Sequence, residues 1–143
     1  MARDTLDVLL RLRRLAADEA ARALGVALRE QEQARQVLTR LEDALAHEWT
    51  VTRMLATGDP VANPFAAWRP RAQQEMTRAV AQLAVTSEAV AVAQGALGDA
   101  RGGLRALEAA IAREQAEEVT AAARSVQHTL DDIARRPTQQ GDG

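Results

Sequence analysis

Apolar residues recur every three or four positions along most of the chain, in two long stretches that a short interruption separates. The apolar rows of the first stretch are Leu10, Ala17, Leu24, Gln31, Leu38, Leu45 and Thr52, and Leu6, Arg13, Ala20, Ala27, Ala34, Leu41, Glu48 and Leu55. The rows of the second stretch are Met76, Leu83, Val90, Leu97, Leu104 and Ile111, and Ala79, Thr86, Ala93, Ala100 and Leu107. This heptad spacing is typical of a supercoiled interface between helices. It predicts an all-α fold of two long helices in an antiparallel coiled-coil hairpin.

The interruption contains Gly58 and two prolines, residue types that end helices and form turns. We predict one coiled-coil hairpin over residues 1–136. Its predicted elements are a helix over 4–56, a turn over 57–66, a second helix over 67–136 and, after the hairpin, a disordered tail over 137–143. Pro70 fits the first turn of the second helix, where a missing N–H costs little. A parallel dimer of extended chains is the alternative architecture.

The turn also predicts the register of the two helices. If Ala56 faces Ala67, residue i lies level with roughly residue 123 − i, which places Leu6 level with Glu117. The second helix then extends about 19 residues, or about 28 Å, beyond the first. The apolar positions of this extension are Val119, Ala122, Val126, Leu130 and Ile133. An apolar stripe without an intrachain partner is typical of a protein-binding surface, and the alternatives are packing on a short N-terminal segment and self-association.

The same register predicts that small residues meet in the middle of the hairpin, with Ala27 near Ala96 and Gly25 near Gly98. We therefore favour a tight Ala/Gly interface along 95–103. The alternative is a flexible joint, because each glycine in a helix costs about 1 kcal/mol relative to alanine.

Composition excludes several functions. The net charge is −2, and there is neither Cys nor Lys. Disulfides, thiolate chemistry, phosphate-binding loops and Schiff bases are therefore unavailable, and no clustered basic face for nucleic acid stands out. His47 and His128 lack a metal-ligand pattern, so we predict no enzyme, metal or cofactor. No segment suggests a signal peptide or a membrane span, which predicts a soluble cytoplasmic protein without direct membrane insertion.

A set of segments in both helices and the turn forms a recognisable pattern, namely Ala2-Arg3-Asp4-Thr5-Leu6, Leu12, Leu15, Asp18-Glu19-Ala20-Ala21, Leu24, Gln33, Leu38 to Leu41, a Gly/Pro-containing turn, an aromatic residue, and Met76-x-x-Ala79-Val80-x-x-Leu83. These segments resemble the FliJ family, the small coiled-coil proteins of the flagellar type III export apparatus. The resemblance covers about residues 2–135. Ala72 stands where the family often has a large ring.

The resemblance implies a stalk-like coiled coil, similar to the γ subunit of rotary ATPases. Such a protein would promote assembly and activity of the export ATPase hexamer, couple it to the export gate membrane protein, and bind export chaperones. It would be cytoplasmic, peripherally associated with the inner membrane at the flagellar basal body, and its biology would be flagellum biogenesis, motility and chemotaxis.

Two sets of residues are candidates for these contacts. For the export gate they are Ala72, Met76, Ala79 and Leu83, with burial against the first helix as an equal alternative. For the ATPase ring they are Leu6, Leu10, Arg11, Arg13, Arg14, Val126, Leu130, Ile133, Arg135 and Arg136. A stalk protein of a virulence secretion system, a generic cytoplasmic scaffold and a peripheral membrane binder are the alternative functions.

Overall fold

The computed structural model describes the backbone of residues 2–55 and 64–137, and within it the side chains of residues 2–54 and 68–137. Helix α1 spans Ala2–Leu55 and helix α2 spans Pro64–Arg135. The described residues contain no strand, and the two helices pack against each other as a helical hairpin with the longer helix second. This confirms the predicted fold class. The chain divides into two compact units, Leu15–Ala100 and Met1–Arg14 with Arg101–Gly143.

The ends of the helices carry charges that suit the helix dipole. Asp4 lies in the first turn of α1, Arg53 in its last turn, and Arg135 in the last turn of α2. Negative charge near an N-terminus and positive charge near a C-terminus each stabilise a helix by about 0.3–1 kcal/mol. Past the end of α2, the backbone N–H of Arg136 donates to the carbonyl oxygens of Asp132 (3.1 Å) and Ile133 (3.3 Å), which satisfies two acceptors of the last turn.

Helix α2 begins at Pro64, so the predicted start at residue 67 is corrected. Proline suits the first helical positions, where no intrahelical bond is lost. Pro70 therefore lies in the second turn of α2, and not in the first turn as predicted. The remainder of the predicted turn, residues 57–63, lies outside the described residues, as do residues 138–143 of the predicted tail.

The predicted heptad rows of α1 and α2 hold most of the positions that the hairpin buries, although Arg13 and Glu48 of the second α1 row are exposed. All seven members of the row from Leu10 to Thr52 are half-buried, and every member of both α2 rows is buried or half-buried. The buried apolar residues are Ala27, Ala34, Ala72, Ala79, Val90 and Leu97, each 5–7% exposed. None of the described side chains is completely enclosed. Two helices alone can cover only one stripe of each other, so this interface is the whole core.

The register differs from the prediction. Gln31 was expected level with residue 92, and its side chain bonds to Ser87. Arg3 was expected level with residue 120, and it pairs with Glu118. In both pairs the partner residue on α2 lies earlier in the chain than expected. The cause is the start of α2 at Pro64, because a shorter connection brings earlier residues of α2 level with a given residue of α1.

A polar contact lies within the interface of the unit Leu15–Ala100. The Nε2 of Gln31 donates to the Oγ of Ser87 at 3.1 Å, and both side chains are half-buried. The adjacent Thr86 is 5% exposed, and its hydroxyl donates to the carbonyl oxygens of Gln82 and Leu83, both at 3.0 Å. A single polar residue in an apolar heptad row commonly fixes register at a cost in stability.

Replacing both members of this pair, Gln31→Leu with Ser87→Ala, should therefore raise the free energy of unfolding by about 1 kcal/mol, because apolar contact replaces a hydrogen bond of small net value. Urea denaturation followed by circular dichroism measures the change. Gln33→Leu, at an exposed position, is the control and should give no gain. A double variant that is less stable than the parent would contradict this account.

The glycines do not form the predicted tight interface. Added Cβ atoms at Gly95, Gly98 and Gly102 would meet nothing within 4 Å, and all three positions are exposed. Ala96 is exposed too, so the expected Ala27–Ala96 contact is wrong. At Gly103, by contrast, an added Cβ would lie 3.1 Å from Nη1 of Arg13. Gly95, Gly98 and Gly102 lie outside the buried heptad rows of α2, and this position explains why most of the glycine-rich segment faces open space.

One stretch of α2 is long and apolar enough to cross a membrane by length and composition alone. An 18-residue window within Trp68–Arg135 has a mean hydropathy of 1.3, and 17% of it is buried. The expectation that no segment approaches a membrane span is corrected accordingly. Because α2 is rich in Ala and Val and its heptad rows pack on α1, interhelical packing accounts for the apolar character at those row positions.

Candidate partner-binding surfaces

The C-terminal segment, defined as residues 119–135, is the part of α2 that α1 does not cover. Nη2 of Arg3, near the start of α1, lies 3.0 Å from Oε2 of Glu118. Every described residue from 112 to 137 is exposed. The segment beyond Glu118 therefore extends as a single helix for about 25 Å.

This segment carries an apolar stripe that faces solvent. Its large members are 54–70% exposed and are Val119, Val126, Leu130 and Ile133. With Ala123 they follow a heptad spacing of four and three residues. At about 100° per residue, the stripe is rotated by roughly a quarter turn from the row that ends at Ile111. This rotation explains why α1 would not cover the stripe even if it were longer.

The predicted ring-binding residues do not form one patch. Leu6 and Leu10 are half-buried in the interhelical row, whereas Val126, Leu130 and Ile133 are exposed. Because α1 runs away from the C-terminal segment after Arg3, Leu10 lies farther from the stripe than Leu6 does. The hydrophobic part of this candidate surface is thus the stripe on α2 alone.

The arginines of the same candidate surface have different surroundings. Arg11, Arg13 and Arg14 are exposed on α1, and the guanidinium of Arg13 lies over Gly103. Arg135 ends α2 and Arg136 follows it, both exposed. Only this last pair directly follows the apolar stripe.

The predicted export-gate residues lie in the interhelical interface. Ala72 and Ala79 are 5% and 7% exposed, and Met76 and Leu83 are half-buried. Their heptad spacing accounts for this position. On the same part of α2, Val80 is 53% exposed and lies just outside the buried rows. A partner that approaches this part of the hairpin meets Val80 and the edges of Met76 and Leu83.

Two further apolar surfaces lie outside both sets of candidate residues. Near the start of α1, Val8, Leu9 and Leu12 are 42–56% exposed. These three residues lie outside both heptad rows of α1, and this position in the sequence pattern could have indicated that they are exposed. The second surface is an open groove of about 440 Å³ in the unit Leu15–Ala100, lined by Glu42, Leu45, Ala46, Trp49, Arg69 and Gln73. Its largest apolar side chain is Trp49, which is 51% exposed.

The polar side chains that the structure describes form a few exposed contacts. Among these residues no cluster of His, Asp and Glu is arranged to hold a metal ion. The ion pairs are exposed ones, Arg3 with Glu118 at 3.0 Å and Arg35 with Glu32 at 3.5 Å. Exposed pairs contribute about 0–1 kcal/mol each.

The two packed helices place the chain in the class of helical hairpin proteins, here with exposed apolar faces. Within that class the chain belongs to the FliJ family, because residues 1–142 match the family model described as the flagellar FliJ protein. This match confirms the resemblance seen in the sequence and makes the chain a component of the flagellar export apparatus. No curated protein and no solved structure matches the chain significantly.

Proposed function

We propose that the chain is a non-enzymatic, stalk-like component of flagellar export whose C-terminal segment enters the export ATPase hexamer and promotes its assembly and activity. The observation that carries this proposal is the exposed apolar stripe, on a stretch of helix that no other described part of the chain covers. A helix that enters a ring has to present its binding surface beyond its own partner helix, and residues 119–135 meet that requirement.

The chemistry of the segment suits such a contact. Burial of Val126, Leu130 and Ile133 by a ring would supply the hydrophobic free energy, at about 25 cal/mol for each Å² removed from water. Arg135 and Arg136 directly follow the stripe and would pair with carboxylates of inner loops, since guanidinium groups bind carboxylates through two hydrogen bonds. Family membership supports a role in export, and the surface supports this form of it.

Truncation after Glu118 tests the proposal. The heptad rows end at Ile111, so the hairpin should stay folded by circular dichroism while stimulation of the export ATPase is lost. The measurement is ATP hydrolysis against added protein concentration. If the truncated chain stimulates the ATPase at unchanged concentration, the C-terminal segment is not the inserted element.

A pair of point variants separates the stripe from the helix that carries it. Leu130→Asp places a charge in the stripe and should raise the concentration needed for half-maximal stimulation by about tenfold or more, equivalent to about 1.4 kcal/mol. Ala121→Asp, on the opposite face of the same helix, should leave stimulation unchanged. Equal effects of the two variants would argue for general charge repulsion instead of an apolar contact.

We further propose that the start of α2 contacts the export gate membrane protein through the exposed edges of Met76 and Leu83. Ala72 and Ala79 would act there by setting the spacing of the helices, because both are buried. A peripheral position at the inner membrane, beside the basal body, would follow from this contact. Escort of export chaperones is the third part of the proposed role, and the groove at Trp49 is the surface best suited to it.

A further inference from the structure

The face of α1 that points away from α2 is apolar near the start of the helix. Its large side chains are 42–56% exposed and are Val8, Leu9, Leu12 and Leu15. Three of them, Val8, Leu12 and Leu15, are spaced by four and three residues along the helix. This is the spacing of a coiled-coil heptad, on the side opposite to the rows that pack on α2. We call these four residues the outer face of α1.

Two charged residues of opposite sign flank the outer face on one edge. At about 100° per residue, Arg11 and Asp18 lie about 70° and about 90° round α1 from the centre of Val8, Leu12 and Leu15. These are the positions from which side chains meet across a coiled coil. Arg11 and Asp18 are both exposed, and neither forms an ion pair within the described part of the chain.

The outer face of a second copy, running antiparallel, complements this arrangement. In an antiparallel pair the same edge of both helices meets, so Arg11 of one copy can face Asp18 of the other. The register that brings these charges together also places Leu12 opposite Leu15 of the second copy. Sliding one copy by a heptad brings Arg11 to Arg11 in one direction and Asp18 to Asp18 in the other. Charge and apolar contact therefore select the same register.

A parallel pair does not complement the outer face. Identical residues would lie level, so Glu19 would meet Glu19 of the second copy in the continuation of the heptad spacing, and like charges would repel. Arg11 would lie beside Ala16, which offers no charge. In the antiparallel register Glu19 instead lies level with Val8 at the end of the contact, one turn from Arg11 of the second copy.

We propose that two copies of the free chain pair antiparallel through residues 8–19 of α1, with Leu12 opposite Leu15 and Arg11 opposite Asp18 in both directions. Helix α2 of each copy lies on the outside of the pair, because the outer face points away from it. The contact needs neither the C-terminal segment nor the export ATPase, so it is independent of the proposed stalk function. Because the apolar contact is shorter than about two heptads, we expect a dissociation constant on the order of 10–100 µM.

Sedimentation equilibrium of the full chain, without ATPase, from about 5 to about 500 µM tests the dimer. The parent should pass from monomer to dimer over this range. Leu12→Asp should raise the dissociation constant by about tenfold or more. Ala21→Asp, at an exposed position about 150° round the same helix, should leave it unchanged. Circular dichroism confirms that each variant is folded. A parent that stays monomeric throughout, or a Leu12→Asp variant that dimerises as the parent does, would overturn the proposal.

A charge exchange tests the orientation. Arg11→Asp and Asp18→Arg should each weaken the dimer, because each places like charges opposite one another. The double variant restores opposite charges and should regain most of the affinity. In a parallel pair Arg11 lies beside Ala16 of the second copy, so the exchange would give no such recovery. Failure of the double variant to recover would therefore overturn the antiparallel arrangement.

Leu130→Asp separates this dimer from the C-terminal segment. The variant should dimerise with the affinity of the parent, because Leu130 lies outside the proposed contact. Loss of the dimer in Leu130→Asp would place the contact on the C-terminal segment and would contradict pairing through α1. ATPase stimulation, measured separately, reports on the stalk function, so the two proposals can fail independently.

Discussion

Ala79→Asp should lower the free energy of unfolding by about 2–4 kcal/mol, because it places a carboxylate in a site of the interhelical interface that is only 7% exposed. Ala79 lies in the unit Leu15–Ala100, in the row that packs on α1. Urea denaturation and the helical signal at a fixed temperature measure the loss. An Asp variant as stable as the parent would show that this position is not part of the interhelical interface.

Val80→Asp is the matched control, since Val80 is the next residue and is 53% exposed. Its effect on stability should stay within about 0.5 kcal/mol, as is usual for exposed positions. The same variant tests the export-gate proposal without disturbing the fold. Loss of gate binding in Val80→Asp, with helicity unchanged, would support a contact at this part of α2. Unchanged gate binding would argue against it.

Comparing Ala79 with Val80 also distinguishes the residues of Met76 to Leu83 that stabilise the fold from those that could bind a partner. A heptad pattern alone cannot separate them, because a residue that packs on α1 and a residue that binds a partner are both apolar. The structure assigns Ala79 to the interface and leaves Val80 outside it. Loss of function in Ala79→Asp would consequently report on folding and not on a direct contact.

The heptad rows were predictable from the sequence because burial in a two-helix hairpin depends only on local periodicity. The row from Met76 to Ile111 is unbroken in the sequence, and each of its members is buried or half-buried. The end of the row at Ile111 also marks where the exposed part of α2 begins. The apolar stripe from Val119 to Ile133 could therefore be predicted as a surface without an intrachain partner.

The register could not be predicted because it depends on the length of the connection. A helix that begins at Pro64 instead of residue 67 shifts every cross-helix pair. Several polar residues interrupt the apolar rows, among them Arg13, Glu48 and Thr86, so their presence alone does not fix the register. Another of them, Gln31, pairs with Ser87 on the other helix. A search for its partner would have located the register.

The exposed position of the glycines, outside the buried rows of α2, changes their expected role and leads to the second large effect. The triple variant Gly95→Ala, Gly98→Ala and Gly102→Ala should raise the free energy of unfolding by about 2–3 kcal/mol. Each alanine gains about 0.8–1 kcal/mol of helix propensity over glycine. The new methyl groups meet no atom within 4 Å, so no packing strain offsets the gain. Thermal and urea denaturation measure the change.

Gly103→Ala is the control for this prediction, because its methyl group would lie 3.1 Å from Nη1 of Arg13. The guanidinium has to move aside, so the gain in the free energy of unfolding should be smaller than at each of the three open positions. A triple variant that gains no stability would contradict the open placement of the glycines. If the triple variant is more stable but stimulates the export ATPase less than the parent does, the glycines serve movement of α2. Unchanged stimulation in a stabilised variant would instead show that export does not require a flexible joint along 95–102.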